Sequence, residues 1–202
     1  MRSRFSAAAV LAVVLAAVTV LTAPASRAEG SGFANTLRLS PASVVALQGE
    51  VDAVLRARPG GTQISQYEVS WQGGQVVLAL PAPAHTRAAL PTVTPGMLGP
   101  LAGSSDSCPW SFTARYTCFY ADAGFNGRRL QFADTYCSGP VNFGDWGFAN
   151  TISSWVNNTA HIVKVYDGPN ATGGMLWKEY GVSNSPYVGD ADNDRADSAT
   201  IC

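Results

Sequence analysis

The most constraining feature of this sequence is a short motif in which two aromatic residues precede a glycine. It runs from Tyr120 to Gly127, with Phe125 as the second aromatic residue. This spacing is typical of a β-hairpin that folds back on its own sheet, because glycine adopts a positive φ without strain and the two rings cover the fold. A weaker copy runs from Tyr166 to Gly173, with alanine in place of the second aromatic residue. The repetition predicts two related β-motifs.

Residues 106–202 have the composition of a β domain. These 97 residues contain sixteen of the chain's twenty aromatic residues and all four cysteines. Short apolar runs alternate with turn residues, and no stretch keeps a helical period. The pattern predicts an all-β sandwich or barrel. The apolar runs expected to form strands are 117–121, 129–132, 162–166 and 175–180.

The motif from Tyr120 to Gly127 resembles the Greek-key signature of the βγ-crystallins, and two such motifs make one domain of that family. The wider segment 108–202 resembles a bacterial secreted peptidase-inhibitor family of the same fold, named after a microbial metalloproteinase inhibitor. The first three cysteines, the motif itself, and the stretches Trp146–Ser154 and Val156–Asn158 carry this resemblance. It implies a mainly β, βγ-crystallin-like double Greek-key sandwich that blocks a protease.

The resemblance also implies a serine that caps each folded hairpin, Ser154 in the first motif and Ser198 in the second. In calcium-binding relatives this serine closes a run of Asn, Asp, Ser and Thr residues, whose oxygen atoms suit calcium. The implied calcium ligands are Asn150 and Ser153 in one site, and Asn193, Asp194 and Asp197 in the other. Each run departs from the family pattern at one position, Ala149 in the first and Asp197 in the second. No other cofactor is implied.

The four cysteines, Cys108, Cys118, Cys137 and Cys202, indicate disulfides in an exported protein. Four cysteines allow three connectivities, and the sequence does not choose among them. We favour Cys108–Cys118, whose members are close enough for one hairpin, together with Cys137–Cys202, which would tie the last residue to the body. No C-x-x-C pair is present, so a zinc site is not expected.

Residues 1–28 have the three-part layout of a secretory signal. Two arginines precede an uncharged apolar run from Phe5 to Leu21, and small residues follow it. We place cleavage after Ala28, with Ala25 as the nearest alternative. An uncleaved anchor helix is the less favoured interpretation of the same run. We therefore expect a secreted bacterial protein.

Residues 29–80 predict a small helix-and-hairpin unit. Ser40 suits the N-cap and Pro41 the first helical position, and a glycine-rich turn at 72–74 separates two short strands. Residues 81–105 contain five prolines among Ala, Gly and Ser, which predicts a linker. The unit is either a pro-segment that is removed or a permanent partner domain.

The charge of the chain excludes some partners. Loss of the signal leaves ten basic and fourteen acidic residues, a net charge near −4. An acidic chain is not expected to bind nucleic acid or an anionic membrane. The sequence contains no G-x-S-x-G, H-E-x-x-H or P-loop motif. We expect a monomer that is not an enzyme.

The resemblance to the inhibitor family implies a protein that blocks a secreted protease through a β-loop of a disulfide-stapled domain. In the family, the protease-facing loop carries its own short-range disulfide. Here only Cys202 follows Cys137, so no inhibitory bond can be carried over from the family. The sequence names neither the inhibitory loop nor the target protease. The alternative is an extracellular calcium-binding structural domain without inhibitory activity.

Overall fold

The computed structural model describes residues 39–81, 108–109 and 114–202. The predicted signal peptide and the predicted linker beyond Pro81 lie outside these residues. Within the described ranges, no helix is long and apolar enough to cross a membrane.

The N-terminal unit consists of one helix and three short strands. Helix α1, Pro41–Ala57, begins where the sequence predicts, with the Ser43 backbone N–H donating to the Ser40 side chain at 3.2 Å. It buries Leu47 and Val51. The strands that follow are β1 (Thr62–Gln63), β2 (Glu68–Trp71) and β3 (Val76–Ala79).

Eight further strands follow, and the four apolar runs singled out in the sequence lie within or across β4, β5, β8 and β9. The strands are β4 (Tyr116–Asp122), β5 (Asn126–Ala133), β6 (Val141–Asn142), β7 (Ser154–Asn157), β8 (Val163–Tyr166), β9 (Met175–Glu179), β10 (Ser183–Ser185) and β11 (Ser198–Thr200).

These eight strands form two Greek-key motifs that exchange one strand each. The first motif places β4, β5 and β7 in one sheet, and the second contributes β10 to it; conversely β8, β9 and β11 lie in the other sheet beside β6. All the neighbouring pairs are antiparallel. Because each sheet contains a strand of the other motif, neither motif can complete its sheet alone. The predicted double Greek-key sandwich is confirmed.

The first sheet is larger than the sequence indicated. Strand β3 pairs with the outer edge of β5, from Val76 opposite Phe132 to Ala79 opposite Arg129. The sheet therefore has seven strands in the order β1-β2-β3-β5-β4-β7-β10. The predicted helix and hairpin form, but the hairpin is continuous with the β domain. The domain boundaries drawn from the sequence stay a prediction.

One apolar cluster connects the N-terminal unit with the sandwich. It runs from Leu47 and Val51 on α1 to Phe119 and Phe132 between the sheets. The Phe119 ring meets those of Phe132 and Phe143 edge-on, at centroid distances of 6.2 and 4.8 Å. Such pairs add to the stabilisation from apolar burial.

Both favoured disulfides are present. Cys108 is bonded to Cys118 on β4, and Cys137 to Cys202 at the end of the chain. The second bond joins residues 65 positions apart, and closing so long a loop removes conformational freedom from the unfolded chain.

We predict that Gly127→Ala destabilises the protein by about 1–3 kcal/mol. Gly127 has φ +76°, and an added Cβ would lie 2.6 Å from Asp122 Oδ2. The matched control is Gly174→Ala, where nothing lies within 4 Å of the new methyl group. Urea unfolding should show a clear loss for the first variant and a change within about 0.5 kcal/mol for the second. Equal losses would contradict the role assigned to Gly127.

Candidate functional site

The first folded hairpin is held by Ser154. Its hydroxyl accepts a hydrogen bond from the Phe125 backbone N–H at 3.0 Å and donates to the Asp122 carbonyl at 2.7 Å. The Tyr120 and Phe125 rings meet edge-on at 5.7 Å. Phe125 itself has a positive φ, so the serine fastens a strained corner.

The second hairpin repeats this arrangement. The Ser198 hydroxyl accepts from the Ala171 backbone N–H at 2.9 Å and donates to the Gly168 carbonyl. Gly173 has φ +73°, close to the φ of +76° at Gly127 in the first motif. Ala171 offers no ring to pack on Tyr166, so the hydrogen bonds hold this corner without the aromatic cover.

The residues implied as calcium ligands lie in two loops that contact each other. Asn150 and Asp194 both have positive φ. The Asn150 N–H donates to the Ala196 carbonyl, and the Asp194 N–H donates to the Ile152 carbonyl. The loops are therefore related by the same pseudo-symmetry as the motifs.

The oxygen atoms of these loops differ in how they are used. The buried Ser153 hydroxyl donates to the Ala121 carbonyl, and Asp197 is half-buried. The Asn193 amide donates to Asp194 Oδ2 at 2.7 Å, while its own Oδ1 is buried without a partner. No group of three or more His, Cys, Asp or Glu side chains that could hold a metal occurs in the described part of the chain. The side-chain oxygen atoms of these loops are nevertheless of the kind that calcium takes as ligands.

A second feature lies at one end of the sandwich, where residues 158–162 contact the turn 180–182; we call these two segments the apical tip. The buried side chain of Asn157 organises it. Its amide nitrogen donates to the carbonyls of His161, Glu179 and Tyr180 at 2.9–3.3 Å. Its oxygen accepts from the backbone and hydroxyl of Thr159, whose carbonyl accepts the Val182 N–H at 3.1 Å. One buried amide thus fixes both segments.

The apical tip exposes large apolar side chains. Tyr180 is 63 % exposed, Val182 75 % and Ile162 47 %. Val182 also has φ +53°, a conformation that is strained for a β-branched residue. Its exposure means that core packing does not account for the strain.

Beneath the tip, Glu179 is fully buried and connects the two sheets. Its Oε2 accepts from the Thr117 hydroxyl on β4 at 3.0 Å, and its Oε1 accepts from Trp177 Nε1 at 3.1 Å. Burial raises the pKa of this carboxyl from 4.5 to about 8, against the lowering effect of the two hydrogen bonds. At neutral pH the group is therefore protonated and adds no charge to the tip.

The surface next to the tip is cationic. Lys164 and Lys178 lie directly opposite each other on β8 and β9, and both are exposed. Like charges in this position are unfavourable for the sheet. The ion pairs found among the described residues all involve arginine and leave both lysines out. This part of an otherwise acidic chain therefore presents positive charge.

A comparison with known protein families finds a match within the β domain. Residues 106–178 match the model of peptidase inhibitor family I36. The resemblance to that inhibitor family is confirmed over these residues. The match ends inside β9, so the last two strands lie beyond it, whereas the sequence resemblance reached residue 202.

The chain is also similar in part to solved βγ-crystallin structures. A βγ-crystallin domain from Clostridium beijerinckii is 22 % identical, with 43 % of this chain and 95 % of that chain covered and a TM-score of 0.37. A βγ-crystallin from Ciona intestinalis is 18 % identical, with 42 % and 96 % covered and a TM-score of 0.35. No curated protein matches the chain.

The sequence located the two Greek-key corners but not the apical tip. The serines and glycines of the corners follow a fixed spacing that can be read directly. Asn157 and Glu179 act through hydrogen-bond partners that only the fold brings to them. The residues beside them in the sequence do not indicate these roles. The available signal was Gly181, because glycine often marks a turn.

We predict that Glu179→Gln flattens the pH dependence of stability. Between pH 4.5 and about 8 the folded state keeps the Glu179 proton while the unfolded state loses it. The free energy of unfolding therefore falls as pH rises through this window, by up to roughly 1.4 kcal/mol per pH unit. Glutamine keeps an acceptor for Trp177, and its amide can pair with the Thr117 hydroxyl, which can accept as well as donate, without titrating.

Urea unfolding at several pH values in that window tests this prediction. The glutamine variant should be more stable than the parent near neutral pH, and the two should converge near the lower end. Glu50→Gln, on an exposed position of α1, serves as the control and should leave the slope unchanged. Parallel profiles for Glu179→Gln and the parent would show that the buried carboxyl is not protonated.

Proposed function

We propose that this protein is a secreted peptidase inhibitor that blocks an extracellular protease by presenting the apical tip to the substrate cleft. The match of residues 106–178 to the inhibitor family supports the class of function. Two disulfides suit an extracellular site of action. The geometry of the tip supports the choice of surface.

The tip has the properties that a protease-binding loop needs. Tyr180 and Val182 offer apolar anchors, and aromatic anchors supply much of the affinity in protein interfaces. The hydrogen bonds of Asn157 hold the loop in one conformation before binding. Such preorganisation lowers the entropic cost of association. Here a buried amide takes the part that a short-range disulfide plays in the family.

The strained backbone of Val182 also supports the apical tip as the binding surface. Glycine would occupy this φ without cost, yet the chain carries an exposed valine there. Strain that packing does not explain is a reason to infer a function for the side chain. We therefore assign Val182 to the contact with the protease.

The charge next to the tip defines the partner more closely. Lys164 and Lys178 carry positive charge without ion-pair partners among the described residues. Complementary charge steers association and selects partners. The target is therefore a protease with an apolar substrate pocket and acidic residues at its rim.

We predict that Val182→Gly weakens inhibition at least tenfold while the melting temperature stays the same or rises. Glycine removes both the anchor and the strained φ, so inhibition should weaken without a loss of stability. The measurement is the inhibition constant against a panel of secreted metalloproteases and serine proteases. The matched control is Val45→Ala, because Val45 is 73 % exposed on α1.

Two results would count against this assignment. If Val182→Gly inhibits normally while Met175→Ala does not, the contact lies beside the neighbouring loop 168–174. If no protease of the panel is inhibited stoichiometrically by the intact protein, the inhibitory function itself is wrong.

A second function, calcium binding, is supported by the unpartnered Asn193 Oδ1. A buried oxygen without a hydrogen bond costs free energy, and a calcium ion beside it would supply a partner. We propose that Asn193, Asp194 and Asp197 bind calcium, and that Asn150 and Ser153 form the weaker site. Calcium would then stabilise two loops that contact each other.

We predict that calcium raises the melting temperature of the parent and that Asp194→Asn reduces this rise. The charge-matched control is Asp190→Asn, in the same acidic turn but outside the proposed ligands. Calorimetric titration with calcium should lose heat of binding in the first variant only. An absence of calcium binding by the parent would remove the metal from the function.

A further inference from the structure

The N-terminal unit occupies the edge of β5 by strand pairing. Four residue pairs join β3 to β5, from Val76–Phe132 to Ala79–Arg129. The pairing is extended beyond β3 by the Ala133 N–H, which donates to the Gln75 carbonyl at 2.8 Å. The Tyr116 hydroxyl adds a bond to the Gly74 carbonyl. An unpaired β5 would otherwise expose a row of backbone donors and acceptors.

A partly buried ion pair crosses the same boundary. The Arg129 guanidinium lies 3.0 Å from the Glu68 carboxylate on β2, and Arg129 is only 3 % exposed. Removing one partner of such a pair leaves a charge in a poorly solvated place, which is costly. An arginine of the β domain is therefore paired with a carboxylate of the N-terminal unit.

Aromatic packing forms a third contact. Trp71 meets Trp146 edge-on at a centroid distance of 5.0 Å. The Arg58 guanidinium lies 3.4 Å from the centre of the Trp146 ring and donates to the Asp145 carbonyl at 2.7 Å. Trp146 is nearly fully buried in this arrangement. Without the N-terminal unit the β domain would lose the cover of this large apolar ring.

The covalent connection is much longer than these contacts require. Residues 82–107 join Pro81 to Cys108, which is bonded to Cys118 on β4. Strand β4 lies two positions from β3 in the sheet, a separation of roughly 10 Å. A connection of that length can reach roughly 85 Å when extended. It therefore limits the position of the two parts very little, and the contacts themselves determine how they fit.

We propose that residues 39–81 are a retained strand donor: when the connection is cut, this unit stays bound to the β domain as a second, non-covalent chain. Processing would then yield a two-chain protein. The β5 edge would stay closed to other strands. The apical tip would stay free, because its turn 180–182 directly precedes β10, at the opposite edge of the sheet from β1.

The test uses the whole exported chain with a recognition sequence for a specific protease inserted between residues 82 and 105. After complete cleavage, the two fragments should elute together in native size-exclusion chromatography and separate only in denaturant. Separate elution of the N-terminal fragment would overturn the proposal, and so would precipitation or unfolding of the β domain on cleavage.

A pair of charge-matched variants shows whether the described contacts are responsible. In the cleaved protein, Glu68→Gln should raise the dissociation constant of the two fragments at least tenfold. Glu50→Gln, on an exposed position of α1, should leave it unchanged. Equal dissociation constants in the two variants would show that the ion pair with Arg129 does not hold residues 39–81 on the β domain. Because this assay measures association of fragments, its result is independent of whether the protein inhibits a protease.

Discussion

Each Greek-key corner depends on one serine hydroxyl that serves as donor and acceptor at once. A hairpin that folds over its sheet turns backbone groups away from the ladder, and buried groups of this kind must find partners. Ser154 and Ser198 supply them at equivalent places in the two motifs. With both corners closed, the strands can exchange between the sheets and enclose Phe119 and Phe143.

The features that could be predicted from the sequence are those whose cause is local. The Ser40 cap, the glycine at 127 and the first disulfide each involve residues close together in the chain. The serine clamps were predictable for a different reason, since a family pattern records their spacing. In these cases one residue type satisfies a geometric need that can be recognised without the rest of the fold.

The pairing of β3 with β5 has no such local cause. The apolar residues of β3 fit an internal strand equally well in a separate hairpin or in a larger sheet, and a proline-rich segment in between favoured the separate hairpin. The relevant information is distributed over Glu68, Arg129 and Trp146, whose roles emerge only when the distant parts meet. The burial of Glu179 was hidden in the same way, because a glutamate next to a lysine in an exposed strand usually faces solvent.

Two costly features of the molecule lie together at one end. Burial raises the pKa of the Glu179 carboxyl to about 8, and Val182 holds a strained backbone only three residues later. The stabilising devices lie elsewhere: two disulfides, two serine clamps and the added strand of the N-terminal unit. A rigid body can hold a strained loop in one conformation because the loop cannot relax without disturbing the body. A preorganised binding loop requires this combination of a rigid scaffold and a strained, exposed tip. The buried amide of Asn157 lies at the boundary between scaffold and tip and donates hydrogen bonds to carbonyls of each.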